Sequence, residues 1–209
     1  MAIYSVGITA DANLDSLNPD LNVGTAQTLS VQYSFPEAKS EHIFTIAYAD
    51  FSAAPGLTSV DQITAAVTRV YVSALVNNPN LGIRWKPVHD NKYDLWTEGF
   101  VTWNDYDDGL SWTAAGGDFD TDADHWGDIE YPNATGFLEW DCLKVVQDAF
   151  STRSSIFSAI LSPVDYEEET SNAVTFASKN NATSAWRPEL NITYTIEGEG
   201  KSGGYVIQF

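Results

Sequence analysis

Basic residues are scarce: 10 Lys and Arg stand against 29 Asp and Glu in 209 residues, a formal charge of -19. Such a chain repels a phosphate backbone and has few cations with which to displace counterions, which argues against nucleic-acid binding. Cysteine occurs once, so no internal disulfide forms; within Glu139-Trp140-Asp141-Cys142-Leu143, Cys142 reads as a small core residue and not as a nucleophile. No apolar run approaches the length of a membrane span, which excludes membrane insertion by a helix. The start, Met1-Ala2-Ile3-Tyr4-Ser5-Val6-Gly7, has neither the basic nor the apolar region of an export signal, so cytoplasmic synthesis without export is expected. Catalytic motifs are missing as well. His42, His89 and His125 are isolated, and neither Gly-x-Ser-x-Gly nor His-Glu-x-x-His occurs, so no triad or zinc site assembles and no enzyme is expected.

What the chain has in quantity is aromatic side chains, 7 Trp, 10 Tyr and 10 Phe, a balance that favours strands over helices. Most segments alternate with a period of two, as strands with one buried face do. In residues 188 to 196, Leu190, Ile192, Tyr194 and Ile196 alternate with Glu189, Asn191, Thr193 and Thr195. Similar runs cover 43–48, 66–73, 81–86, 156–162 and 173–177, separated by turn formers such as Pro55-Gly56 and Asn180-Asn181. Many short strands without a βαβ rhythm predict an all-β fold, a jelly-roll-like antiparallel β-sandwich with one short helix. The helix is expected behind Asp141, where Leu143, Val146 and Phe150 recur at helical spacing. One sandwich domain is expected over residues 1–197, followed over 198–209 by a Gly-rich linker and a strand-like arm. In that arm Tyr205, Ile207 and Phe209 share one face, suited to strand addition to a neighbouring subunit or to folding back as an edge strand.

Two loops carry candidate chemistry. Asp118, Asp120, Asp122 and Asp124 recur at every second residue, as loops that gather oxygens for calcium do, although the spacing is not that of an EF-hand. The rival reading is a solvated acidic loop. In the long segment 105–131, Tyr106, Trp112, Trp126 and Tyr131 either stack on sugar rings or pack the loop onto the sandwich.

Three stretches resemble the DNRLRE domain, a β-sandwich module related to carbohydrate-binding modules and found in secreted and phage proteins. They are Thr9-Ala10-Asp11-Ala12 with Asn18-Pro19-Asp20-Leu21-Asn22-Val23-Gly24; Trp96-Thr97-Glu98-Gly99-Phe100-Val101-Thr102-Trp103-Asn104; and Phe176-Ala177-Ser178-Lys179 through Arg187-Pro188-Glu189-Leu190-Asn191-Ile192-Thr193-Tyr194. Together they span roughly residues 8 to 196. The resemblance implies a structural cation at Asp11 that ties the first strand to a neighbouring loop. Trp96 and Trp103 are read as core, brought inward by a turn near Gly99, and Arg187 as a donor to backbone carbonyls. With no required cofactor beyond a structural calcium, the leading expectation is a non-catalytic virion protein of a phage, a head decoration or tail component. Its partners would be neighbouring subunits in a homo-oligomer. The alternatives are a free-standing carbohydrate-binding module with a polysaccharide partner, and a subunit of an extracellular filament or surface layer.

Overall fold

The alternating runs become strands because each places one row of apolar side chains against a common core. The computed structural model describes residues 1–34, 41–77, 81–89, 91–165 and 171–196. In chain order the strands are β1 Ala2–Gly7, β2 Ala10–Asp15, β3 Thr28–Ser34, β4 Glu41–Asp50, β5 Ile63–Val76, β6 Gly82–Pro87, β7 Asp105–Asp107, β8 Leu110–Ser111, β9 Gly136–Asp141, β10 Ile156–Asp165, β11 Asn172–Ala177 and β12 Glu189–Tyr194. The helix α1, Leu143–Thr152, lies between β9 and β10. Ten strands form one curled antiparallel sheet in the order β1-β12-β5-β11-β3-β4-β10-β6, with β2 on β4 and β9 on β5. The all-β sandwich with a single short helix is therefore the observed fold, and among the described residues no helix is long and apolar enough to cross a membrane.

β5 holds the sheet together. It pairs with β12 over residues 63–69, with β9 over 67–72 and with β11 over 72–76. Ala66, Val70 and Val72 turn into the main core, where they meet Leu190, Ile192 and Tyr194 of β12 and Trp140 of β9. The helix closes one end of this core with Val145, Val146 and Ala149. Its N-cap position is Cys142, one residue beyond the expected Asp141. Asp141 nevertheless accepts a hydrogen bond from the Leu143 N–H through Oδ1 at 3.2 Å. The Cys142 thiol is fully buried, and burial pushes its pKa well above the usual thiol value, which fits a packing role.

A second core sits on the outer side of β2, β4 and β10. Ala12, Leu14, Ile46 and Ile160 face away from the main core and are covered by Val88, Trp96, Val101 and Trp112 from the long connection between β6 and β9. The stretch around Trp96 to Asn104 is turn and not strand: the N–H groups of Phe100 and Val101 both bond the Thr97 carbonyl, reversing the chain near Gly99. Trp96 is buried as expected and donates through Nε1 to Ser158 Oγ at 2.9 Å. Trp103 is only half-buried, because it caps the edge of this core and lies flat over Gly116. A Cβ at Gly116 would come within 2.8 Å of the Trp103 ring, and its φ of +95° already favours glycine.

These placements rank two tryptophans. Trp112→Ala deletes a fully packed aromatic and should cost about 3–5 kcal/mol in chemical denaturation, whereas Trp103→Ala, with part of its ring already in water, should cost less than that range. Equal losses would mean that Trp103 is as deeply buried in solution as Trp112.

Candidate functional site

The sheet region β1-β12-β5-β9 has one face on the main core and the other in solvent. Register and alternation put defined rows on the outer face. Ile3, Thr193 and Ala65 form one row; Ser5, Asn191, Val67 and Asp141 the next; Gly7, Glu189, Arg69 and Glu139 a third; and Tyr71 with Phe137 a fourth. The first three rows line a groove of about 470 Å³ whose floor is made by Ala65, Ala66 and Val67 and whose sides include Ile3, Glu139 and Glu189. Small floor residues let a flat ligand approach the backbone closely.

The fourth row is aromatic. Tyr71 stacks on Trp186 with centroids 4.2 Å apart and planes 1° from parallel, and it meets Phe137 edge-on at 5.2 Å. The Arg69 guanidinium lies 3.7 Å above the Phe137 ring and 3.4 Å from Glu189 Oε1, so it is held between a π face and a carboxylate. Trp186 is 37 % exposed and Phe137 42 %. With Tyr71 covering one face of Trp186, that exposure has to come from its other face and rim. None of Tyr71, Phe137 or Trp186 stands out in the sequence. Tyr71 and Phe137 occupy outward positions of alternating runs, and Trp186 sits in a single 3-10 turn, Ser184–Trp186, before Pro188. Arg187 donates from Nε to the Asn181 carbonyl at 3.0 Å, the structural role read for it.

The long-loop aromatics scatter. Trp112 is 5 % exposed and donates from Nε1 to the Thr102 carbonyl, so it has no free face for a sugar ring; the expectation is corrected by its burial in the second core. Tyr106 is half-buried against Trp112, and Lys92 stands over both rings. Trp126 is half-buried, packed edge-on with Phe119 and overlaid by Arg84 and Lys86. Tyr131 alone of the four is exposed. Near them a second cavity of about 400 Å³ is bounded by His89, Asn91, Asp118 and Phe119. The arm residues Tyr205, Ile207 and Phe209 lie outside the described residues.

The four alternating aspartates do not converge on one point: Asp118 turns to Lys92, Asp120 and Asp122 turn to His125, and Asp124 faces solvent. Asp118 binds Lys92 and the N–H groups of Thr113 and Ala114; burial alone would raise its pKa, and these donors outweigh it and hold the carboxyl below its usual value. Asp122 caps the 3-10 turn Ala123–His125, and Asp124 is exposed. Asp120 meets His125 Nδ1 at 2.6 Å and Arg153 at 3.3 Å, and Arg153, 1 % exposed, reaches Asp148 at 2.8 Å. Among the described residues, Asp120, His125 and Asp148 are the one group whose ligand atoms approach closely enough for a metal. The buried guanidinium already neutralises two of its carboxylates, so the cluster is a clasp that fastens the loop to α1. The hydrogen bond that His125 donates to Asp120 raises the His125 pKa above its usual value.

Asp11 is 1 % exposed; its Oδ2 accepts the Lys179 N–H at 2.7 Å while Oδ1 has no hydrogen-bond partner among the described residues. Glu98 lies beside it, accepting the Asp11 N–H at 3.3 Å and pairing with Lys179 at 2.8 Å. Asp11 and Glu98 supply two of the carboxylates among the six to eight oxygens that calcium takes. Burial, aided by Glu98, raises the Asp11 pKa from 3.8 to about 7. Between about pH 4 and pH 7 the folded chain therefore keeps a proton that the unfolded chain has lost, and stability falls as pH rises through that window, by on the order of 4 kcal/mol in total. Asp11→Asn should flatten that slope in pH-resolved denaturation. His125, with its raised pKa, contributes stability that is fully present below about pH 6.5 and is lost as pH rises through the folded value; His125→Gln should remove that part alone. Calcium is the companion measurement: a cation held by Asp11 would depress its pKa and remove the slope in the parent.

The chain has no match among curated proteins. It does match a family model, Carbohydrate-binding module family 96, over residues 2–194. The match carries the carbohydrate-binding-module relationship that the three stretches implied, without the DNRLRE name itself. Because it runs from β1 through β12, the whole described sandwich, open face included, is the family domain, and the chain belongs to carbohydrate-binding module family 96.

Proposed function

We propose that this chain is a non-catalytic module that holds a polysaccharide on the open face of β1-β12-β5-β9. The observation that carries the reading is the Trp186-Tyr71-Phe137 cluster at the end of the groove, with two exposed rings on a broad sheet face that no described segment covers. Sugar rings bind by laying their C–H faces on aromatic rings while nearby amide, hydroxyl and carboxylate groups take the hydroxyls. Asn191, Ser5, Glu139 and Glu189 supply such groups here. Family membership supports this function over the virion-subunit reading, which has no observation behind it beyond the sequence argument.

The cavity bounded by His89, Asn91, Asp118 and Phe119 is the rival location, since it combines an aromatic edge with polar groups. The two places separate by mutation. Trp186→Ala and Phe137→Ala should each weaken retention on a polysaccharide gel by tenfold or more, about 1.4 kcal/mol, with the melting temperature little changed. Phe119→Ala should leave retention as in the parent. The reverse pattern would move the site to the loop cavity.

A further inference from the structure

We infer that Lys86, on the β2-β4-β10 side of the sandwich, is a site at which the chain captures small aldehydes covalently. The inference is independent of where a polysaccharide is held.

Register sets the geometry. Lys86 is the partner of Ile160 across β6 and β10, and Arg84 that of Ser162, so both cations leave the outer face while Ile83 and Trp85 turn into the main core. Two rings of the long connection are fixed beside them: Phe119 is bridged to Val88, and Trp126 donates from Nε1 to the Asp120 carbonyl at 2.7 Å. The Lys86 ammonium lies 4.4 Å from the centre of the Phe119 ring and 4.8 Å from that of Trp126. In a chain with 29 acidic residues, this half-buried lysine has no carboxylate partner and no hydrogen bond among the described residues. Asp118 and Asp120, on either side of Phe119, are turned to Lys92 and to His125 and Arg153. Glu130, bridged to Ile83, sits with Asp128 and Asp141, and Ile160 and Ser162 of β10 carry no charge. The charged group beside Lys86 is a cation, Arg84, whose guanidinium lies 5.4 Å from the centre of the same Trp126 ring.

A lysine enclosed in this way, with no anion and a guanidinium for a neighbour, is pushed toward its uncharged form. Burial, and after it the Arg84 charge, brings the Lys86 pKa from 10.5 down to about 8. The ring faces pull the other way, but Trp126 is shared with Arg84. At neutral pH such an amine is uncharged on the order of a hundred times more often than a solvated lysine. Its lone pair adds to the aldehyde carbon and the carbonyl oxygen takes up a proton. The carbinolamine then loses water, and a C=N bond joins lysine and aldehyde without any oxidant or reductant. Protonated, that imine is again a cation and keeps its place over Phe119 and Trp126, whereas acylation would leave a neutral amide there. The two rings therefore favour aldehydes over acyl donors.

The test is reaction of the full chain with glycolaldehyde, with cyanoborohydride to trap the imine as a secondary amine and peptide mapping by mass spectrometry to give a rate for each lysine. Lys144, exposed on α1, is the internal reference. At neutral pH Lys86 should be labelled about tenfold faster than Lys144 or more, and the ratio should fall as pH rises above about 8, because only Lys144 still gains free amine there. A ratio of one or less at neutral pH, or a ratio that stays constant into the alkaline range, overturns the inference, since either means that the rings hold an ordinary ammonium. Arg84→Gln removes the neighbouring charge and should lower the neutral-pH ratio by about twofold or more; an unchanged ratio takes Arg84 out of the account. Lys86→Arg should abolish the fast label. A succinimidyl acetyl ester is the second probe and should prefer Lys86 less than glycolaldehyde does. An equal or larger preference overturns the assignment to aldehydes.

Discussion

The pairing of β5 on both edges is the constraint on which the molecule depends. A strand of 14 residues that serves β12, β9 and β11 in succession cannot slip by one position without turning Ala66, Val70 and Val72 out of the core and Arg69 and Tyr71 into it. Because one face of β5 is buried under Trp140, Leu190 and Ile192, its register is strongly specified, and the same register dictates what reaches the solvent. The order of rows on the outer face, from Ile3 and Ala65 through Asn191 and Val67 to Arg69 and the aromatic pair, is thus a by-product of core packing.

The two sides of the sandwich meet water differently. On the β2-β4-β10 side the outer face is apolar, and the long connection between β6 and β9 folds over it with Trp96, Val101 and Trp112 as a second core. That loop is pinned by its own charges: Lys92 with Asp118 at one place, and Asp120 with His125, Arg153 and Asp148 at another. An acidic, aromatic-rich segment that reads as a ligand loop is in large part a lid over hydrophobic surface. On the β1-β12-β5-β9 side no segment of the described chain performs that service, and exposed aromatic rings remain beside a groove. Exposed aromatic surface of this kind marks binding sites more often than idle surface.

Membership of carbohydrate-binding module family 96 supports a glycan-binding reading of that uncovered face.

The sequence by itself determined the fold class and most of the strands. Alternation is a local property: the runs at 43–48, 66–73, 156–162 and 173–177 fall within observed strands, those at 81–86 and 188–196 overrun β6 and β12 by one or two residues, and the helical spacing of Leu143, Val146 and Phe150 falls in α1. Buried Cys142 and Trp96, and Arg187 bonded to a carbonyl, agree with the reading of the sequence, although Trp96 is sealed by Ser158 and the second core, far from it along the chain. Tertiary structure alone decided which aromatics are exposed. Trp112 and Trp186 are both tryptophans in polar, irregular stretches, yet one is sealed by the outer face of β2 and β4 and the other is left stacked on Tyr71 in solvent. Likewise the evenly spaced aspartates look like one ligand set only along the chain; folding turns Asp118 to Lys92, Asp120 and Asp122 to His125, and Asp124 to solvent. The cluster of Tyr71, Phe137 and Trp186 is assembled from segments far apart in sequence, and only the pairing of β9 with β5 and the turn before β12 bring them within contact.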